Sequence, residues 1–201
     1  MTALSLKKQP GLHVSTLVCL GIAFILTAAI LIFTFSSAWG AYIGTIEATA
    51  SSDVFKTFDL ETIDGGRLSA ADLRGRKLVA VNIWGTDCPP CLAELPALDS
   101  LSKEYDPNEF YIIGIPMDVT AHGEKIVEKR LEEARRITKA AGIQFPNLIA
   151  DPAMDSFVRS VIAGTPTTLF LDSEGNVIHN VTGNRSYDTM KEIIDSLLKE
   201  R

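Results

Sequence analysis

KLVAVNIWGTDCPPCLAELPAL, residues 77–98, joins two kinds of text without a gap. Residues 77–84 form a nearly unbroken apolar run rich in valine, the pattern of a strand buried on both faces. Two cysteines then flank two prolines. Proline is tolerated in the first turn of a helix, where an N–H would have no partner inside the helix. The stretch therefore predicts a buried strand feeding a helix that runs to about Tyr105, with Pro96 expected to kink it. Cys88 stands at the helix start and Cys91 one turn on, facing inward. Unpaired amides and the helix dipole at such a start stabilise a thiolate. Cys88 is thus expected to be the exposed nucleophile and Cys91 the thiol that resolves a mixed disulfide.

Other uses of such a pair fit less well. A C-x-x-C is half of a zinc site, but no second pair accompanies it, and the three histidines are His13, His122 and His179. A purely structural bridge across so short a loop constrains the unfolded chain little.

Outward from this centre, residues 54–60 alternate like a strand. An Asp-Gly-Gly turn and a return strand follow, so a hairpin is expected to open the domain. Residues 70–75 read as a helical turn ending at Gly75. Residues 110–117 form a second buried strand, and 124–141 an amphipathic helix ended by Gly142. The charge-rich face of that helix reads as solvated. Residues 145–151 are expected as a short strand and 152–160 as a helix. Residues 167–172 and 176–183 read as strands joined by a turn at 173–175. Residues 186–199 close the chain as a helix with Ile193, Ile194, Leu197 and Leu198 on one face. The order predicts a mixed α/β sheet covered on both faces.

The N-terminal part is of another kind. Residues 14–35, VSTLVCLGIAFILTAAILIFTF, carry no charge, and about 20 apolar residues span a bilayer. Lys7 and Lys8 precede the run, and Trp39 and Tyr42 follow it. Signal-peptide apolar regions are only about 7–15 residues long, so the expectation is a retained anchor over residues 14–36. Residues 1–13 would stay in the cytoplasm, 37–52 would form a tether, and a domain over 53–201 would lie outside the cytoplasm. With Lys7 and Lys8 set aside, 17 basic residues face 25 acidic ones. That balance argues against nucleic acid as a partner. Of the three cysteines, Cys19 lies within the apolar run, so the exported domain holds a single pair.

LRGRKLVAVNIWGTDCPPCLAELPAL resembles the core signature of the TlpA/ResA-like family, membrane-anchored proteins that include those of cytochrome c maturation. The matching residues are Gly75, Asn82, Trp84, Cys88 to Cys91, Glu94 and Pro96, and IAGTPTTLFLDSEGNVI resembles the family's G-x-P-T loop and hairpin. The resemblance implies a thioredoxin-like fold with an added N-terminal hairpin and an insertion around residues 124–141. It implies a thiol–disulfide oxidoreductase acting on protein thiols or disulfides, with the Cys88–Cys91 disulfide as its redox group and no other cofactor. The domain would face the periplasm from the inner membrane of a bacterium, and the donor of electrons would be a membrane reductase of the DsbD/CcdA type. Pro166 would be a cis-proline facing the pair, and Thr165 would offer its backbone to substrate. Glu94 would tune the thiols, and Trp84 would pack beside the site. Asn82 takes the place of a buried aspartate of thioredoxin and cannot accept a proton.

Asp87 departs from the pattern. Many family members present a tryptophan to substrate directly before the first cysteine. Pro89 and Pro90 supply no N–H, and Asp87 adds a negative charge, so the sequence disfavours a thiolate at Cys88. That points to a reductant. The rival readings are a thiol oxidase or isomerase, and a Sco-like copper chaperone. The latter family uses C-x-x-x-C with a nearby histidine, for which His179 is the one candidate.

Overall fold

The computed structural model describes residues 53–200. The expected anchor at 14–36 and its flanks at 1–13 and 37–52 lie outside that range. Among the described residues no helix is long and apolar enough to cross a membrane.

Strand β3 (Leu78–Trp84) is buried at every position. It pairs in parallel with β4 (Phe110–Pro116) and antiparallel with β7 (Thr167–Leu171), which pairs antiparallel with β8 (Val177–Thr182). The order β4-β3-β7-β8 places the strand that leads into the cysteine pair inside the sheet. Side chains alternate between the faces of a strand, and β3 shows what each face meets. Leu78, Ala80 and Trp84 pack with α3 (Pro89–Glu104), α4 (Glu128–Ala141) and α6 (Tyr187–Lys199). Val79, Val81 and Ile83 pack with the N-terminal hairpin and α5 (Pro152–Val161). Two apolar clusters, one per face, explain why the run could not alternate with polar residues. Each fully buried Val, Leu or Ile contributes about 1.5–3 kcal/mol relative to exposure.

The hairpin is present but shorter than expected. Val54–Thr57 form a helical turn, α1, and strand pairing is confined to β1 (Asp59–Glu61) with β2 (Arg67–Ser69). The helical turn brings Phe55 and Phe58, three residues apart, into one apolar cluster, which a strand would have split between faces. The short helix α2 (Ala70–Leu73) follows under a Ser69–Asp72 capping box.

Two further expectations are corrected. Residues 120–126 form a two-stranded ribbon, β5 (Thr120–Ala121) with β6 (Lys125–Ile126), and α4 begins only at Glu128. Its end at left-handed Gly142 is as expected. Residues 145–151 form no strand, only isolated bridges from Asn147 to Gly114 and from Leu148 to Thr62. Their amides and carbonyls are divided between β4 and the hairpin, as in Leu148 N–H to Gly114 and Ile149 N–H to Glu61. Neither ladder can therefore propagate. Helix α3 runs unbroken through Pro96.

Candidate active site at the start of helix α3

Strand β3 ends at Trp84, and four residues later Cys88 caps α3, with Pro89 and Pro90 in its first turn. Cys88 and Cys91 are joined as a disulfide with Cα atoms 5.3 Å apart. Cys88 is half-buried and Cys91 is buried, at 1% exposure, so only the first sulfur is open to a large partner. The first two helical residues have no N–H. The next two amides, of Cys91 and Leu92, donate to the Cys88 carbonyl at 2.9 and 3.1 Å. The helix start is therefore poor in donors for the Cys88 sulfur.

One donor comes from elsewhere. The Thr165 hydroxyl lies 3.5 Å from Cys88 Sγ. The peptide joining Thr165 to Pro166 is cis, and Pro166 is buried beneath. The sequence reading assigned Thr165 a backbone role only, and its side-chain contact with sulfur was not anticipated. An open groove of about 340 Å³ runs from Thr165 past Gly164, Ala163, Ile162, Met117 and Arg159.

Behind the pair lies an acid. Glu94 is 2% exposed, one helical turn beyond Cys91. One of its oxygens accepts from the Arg185 backbone N–H at 2.8 Å, the other from Asn82 Nδ2 at 3.3 Å. Asn82 Nδ2 also reaches Thr168 Oγ1 at 3.1 Å. Burial pushes the Glu94 carboxyl above its ordinary range, opposed by the Arg185 amide and Asn82. Burial thus favours the protonated acid in the folded chain, and the unfolded chain ionises first as pH rises. Stability linked to this group is intact below the ordinary value of about 4.3 and falls as pH rises through the raised folded value. Glu94→Gln cannot ionise. Its stability in urea should gain on wild type between about pH 4 and pH 8, and a constant gap over that range would contradict the raised value.

Trp84 points into the core. It is 0% exposed, shares the core cluster of Cys91, and donates its indole N–H to Asn147 Oδ1 at 2.9 Å. It packs beside the pair from inside the domain.

Asp87 is exposed, but its charge does not act alone. Arg130 Nη2 lies 2.5 Å from Asp87 Oδ2, and this guanidinium holds the carboxyl below its usual range. Sequence reading treated the charged face of α4 as solvated. Arg130 is the exception, and nothing in its spacing, 43 residues from Asp87, marked it out. His179 is exposed on β8 with its ring against Phe170. Among the described residues no group of three or more His, Cys, Asp or Glu side chains is placed to hold a metal ion.

The chain's similarities agree with this geometry. The AhpC/TSA family profile matches residues 52–180. The thiol-disulfide oxidoreductase ResA of Bacillus subtilis is 29% identical over 178 residues, covering 89% of this chain and 88% of its own. The thioredoxin-like protein YneN of the same organism is 29% identical over 138 residues, 69% of this chain and 75% of its own. Among solved structures, a thioredoxin-family thiol:disulfide interchange protein from Chlorobium tepidum superposes with a TM-score of 0.58 at 30% identity, covering 71% of this chain and 94% of that one.

Proposed function

Since the chain belongs to the AhpC/TSA family and is a thiol–disulfide oxidoreductase of the ResA/DsbE type, we propose that it is a membrane-anchored reductant of protein disulfides working outside the cytoplasm. Cys88 in its thiolate form attacks one sulfur of a substrate disulfide. A Cys88–substrate disulfide forms, and one substrate thiolate leaves and takes up a proton. Cys91 then attacks Cys88 Sγ, with Glu94 as the acid–base group nearest in the helix. The second substrate thiol departs, and the Cys88–Cys91 disulfide remains. Two electrons and two protons have passed to substrate, so a dithiol donor must restore the pair. A membrane reductase of the DsbD/CcdA type supplies them in this scheme. Thr165 and the groove beside it receive an extended substrate segment next to Cys88.

The observation that carries the direction of flow is the donor-poor start of α3. Two prolines lack N–H groups, and the next two amides point to a carbonyl. A strong oxidant such as DsbA needs its reduced form stabilised, and this helix start withholds that help. Anchoring is supported by the uncharged run of residues 14–35 after Lys7 and Lys8.

The test has two arms. Equilibration of the chain with glutathione buffers should place its potential well below the roughly −120 mV of DsbA. A value near that of DsbA would make the protein an oxidant. A reporter fused at Arg201 should be active only outside the cytoplasm, in membranes that retain the protein after a salt wash. A soluble mature form lacking residues 1–40 would sink the anchor.

A further inference from the structure

The two residues before Cys88 are held by a cluster that the chemistry above does not use. Thr86 is buried at 4% exposure, and its hydroxyl works twice. It donates to Asp118 Oδ2 at 2.5 Å and accepts from Arg130 Nη1 at 2.8 Å. The Thr86 N–H also meets both oxygens of Asp118, at 3.2 and 3.1 Å. The other arm of the same guanidinium holds Asp87, and Nη1 lies 3.7 Å from Asp118 Oδ2. One arginine from α4 thus spans the loop that delivers Cys88 and the segment following β4. Its planar fork suits two acceptors at once, which a lysine ammonium matches in charge but not in geometry.

We propose that Arg130 is a positioning residue that sets the redox poise of the cysteine pair, by cancelling the charge of Asp87 beside Cys88 and by fixing Thr86 and Asp87 in place. This rests on Cys88 being the attacking thiol. The charged groups around the loop are Asp87, Asp118, Arg130, Lys129 and Glu133 with its partner Arg136, and Glu94 lies inside α3. Without Arg130, Asp87 keeps only Lys129 nearby and Asp118 loses its guanidinium, while Glu133 stays paired with Arg136, and the Cys88 thiolate is disfavoured. Without Asp87, Arg130 has lost its nearest counter-ion, and the thiolate is favoured. The two losses act on the same sulfur with opposite sign.

The experiment uses the full chain in detergent at low ionic strength, with Asp87→Asn, Arg130→Gln, Arg130→Lys and the double variant Asp87→Asn/Arg130→Gln. Two quantities are read: the equilibrium constant against glutathione, and the initial alkylation rate at pH 7 with the labelled cysteine identified by mass. Arg130→Gln should make the pair more reducing by about threefold in the equilibrium constant, equivalent to about 14 mV for a two-electron couple. Asp87→Asn should shift it about threefold the other way. The double variant should lie between the singles, and Arg130→Lys, which keeps the charge but not the fork, should lie between wild type and Arg130→Gln. At about 1 M salt, where the Debye length is about 3 Å, the spread should shrink. Single variants that shift in the same direction, or a spread indifferent to salt, would overturn the role of Arg130. Labelling of Cys91 ahead of Cys88 in the wild type would instead overturn the cysteine assignment beneath it. Should Arg130→Gln fail to fold, the shift of Asp87→Asn toward a less reducing pair, present at low salt and lost at high salt, decides in its place.

Discussion

Cys91→Ala is expected to stop turnover while leaving capture of substrate intact. Cys88 is the half-open sulfur, and Cys91 is shielded at 1% exposure, so the first attack needs only Cys88. Resolution is intramolecular in the wild type, over a Cα separation of 5.3 Å. Well-placed intramolecular groups act with effective concentrations of about 10⁵ M or more. Millimolar external thiol replaces that poorly, so turnover should fall by at least about 10³-fold. Non-reducing gels should show substrate held on Cys88 in a one-to-one adduct. Sustained turnover within about tenfold of wild type would mean that another group resolves the intermediate.

The largest effect on stability is expected from Gly114→Ala. Gly114 lies in β4 opposite Asn82 of β3. A Cβ there would lie 2.0 Å from Asn147 Oδ1, 2.8 Å from its Cγ and 3.2 Å from Phe145 Cε2. Asn147 has no room to retreat without loss. It is 2% exposed, accepts the Trp84 indole N–H, and donates to the Phe145 carbonyl at 3.1 Å. Overpacking costs about 1–3 kcal/mol, and an indole N–H buried without a partner costs about 1–3 more. A loss of about 2–5 kcal/mol is expected in urea unfolding, with a melting temperature lower by roughly 10 °C. Asn147→Ala added to Gly114→Ala should recover the overpacking part alone, because Trp84 stays unpaired. A loss below about 1 kcal/mol would show that the loop yields freely at Asn147.

Where the sequence could be read, the signal was local. The valine-rich run of residues 78–84 had to be doubly buried because nothing polar interrupts it except Asn82. The prolines after Cys88 could only sit in a first helical turn. Gly142 ended its helix because its left-handed backbone, φ 69°, suits a residue without a side chain. Reading failed where two local signals competed. Residues 54–57 alternate like a strand, yet they turn as a helix to bring Phe55 and Phe58 into one cluster. Residues 145–151 have strand-like composition, but their backbone groups serve two neighbours.

The sequence by itself determined a mixed α/β alternation of strands and helices, the position of the cysteine pair at a helix start, and the lack of N–H groups in the first turn. Each of these is a property of residues adjacent in the chain or one helical turn apart. Only the tertiary structure decided which partners those residues meet. The Arg185 amide on Glu94, the Thr165 hydroxyl on Cys88, Asn147 beneath Trp84 and Arg130 across Asp87 join positions 43 to 91 residues apart. Such contacts leave no period or spacing in the chain. They exist because the packed sheet and its helices bring these ends together, and because the buried groups among them, Glu94 and the Trp84 indole, must find a partner where water does not reach.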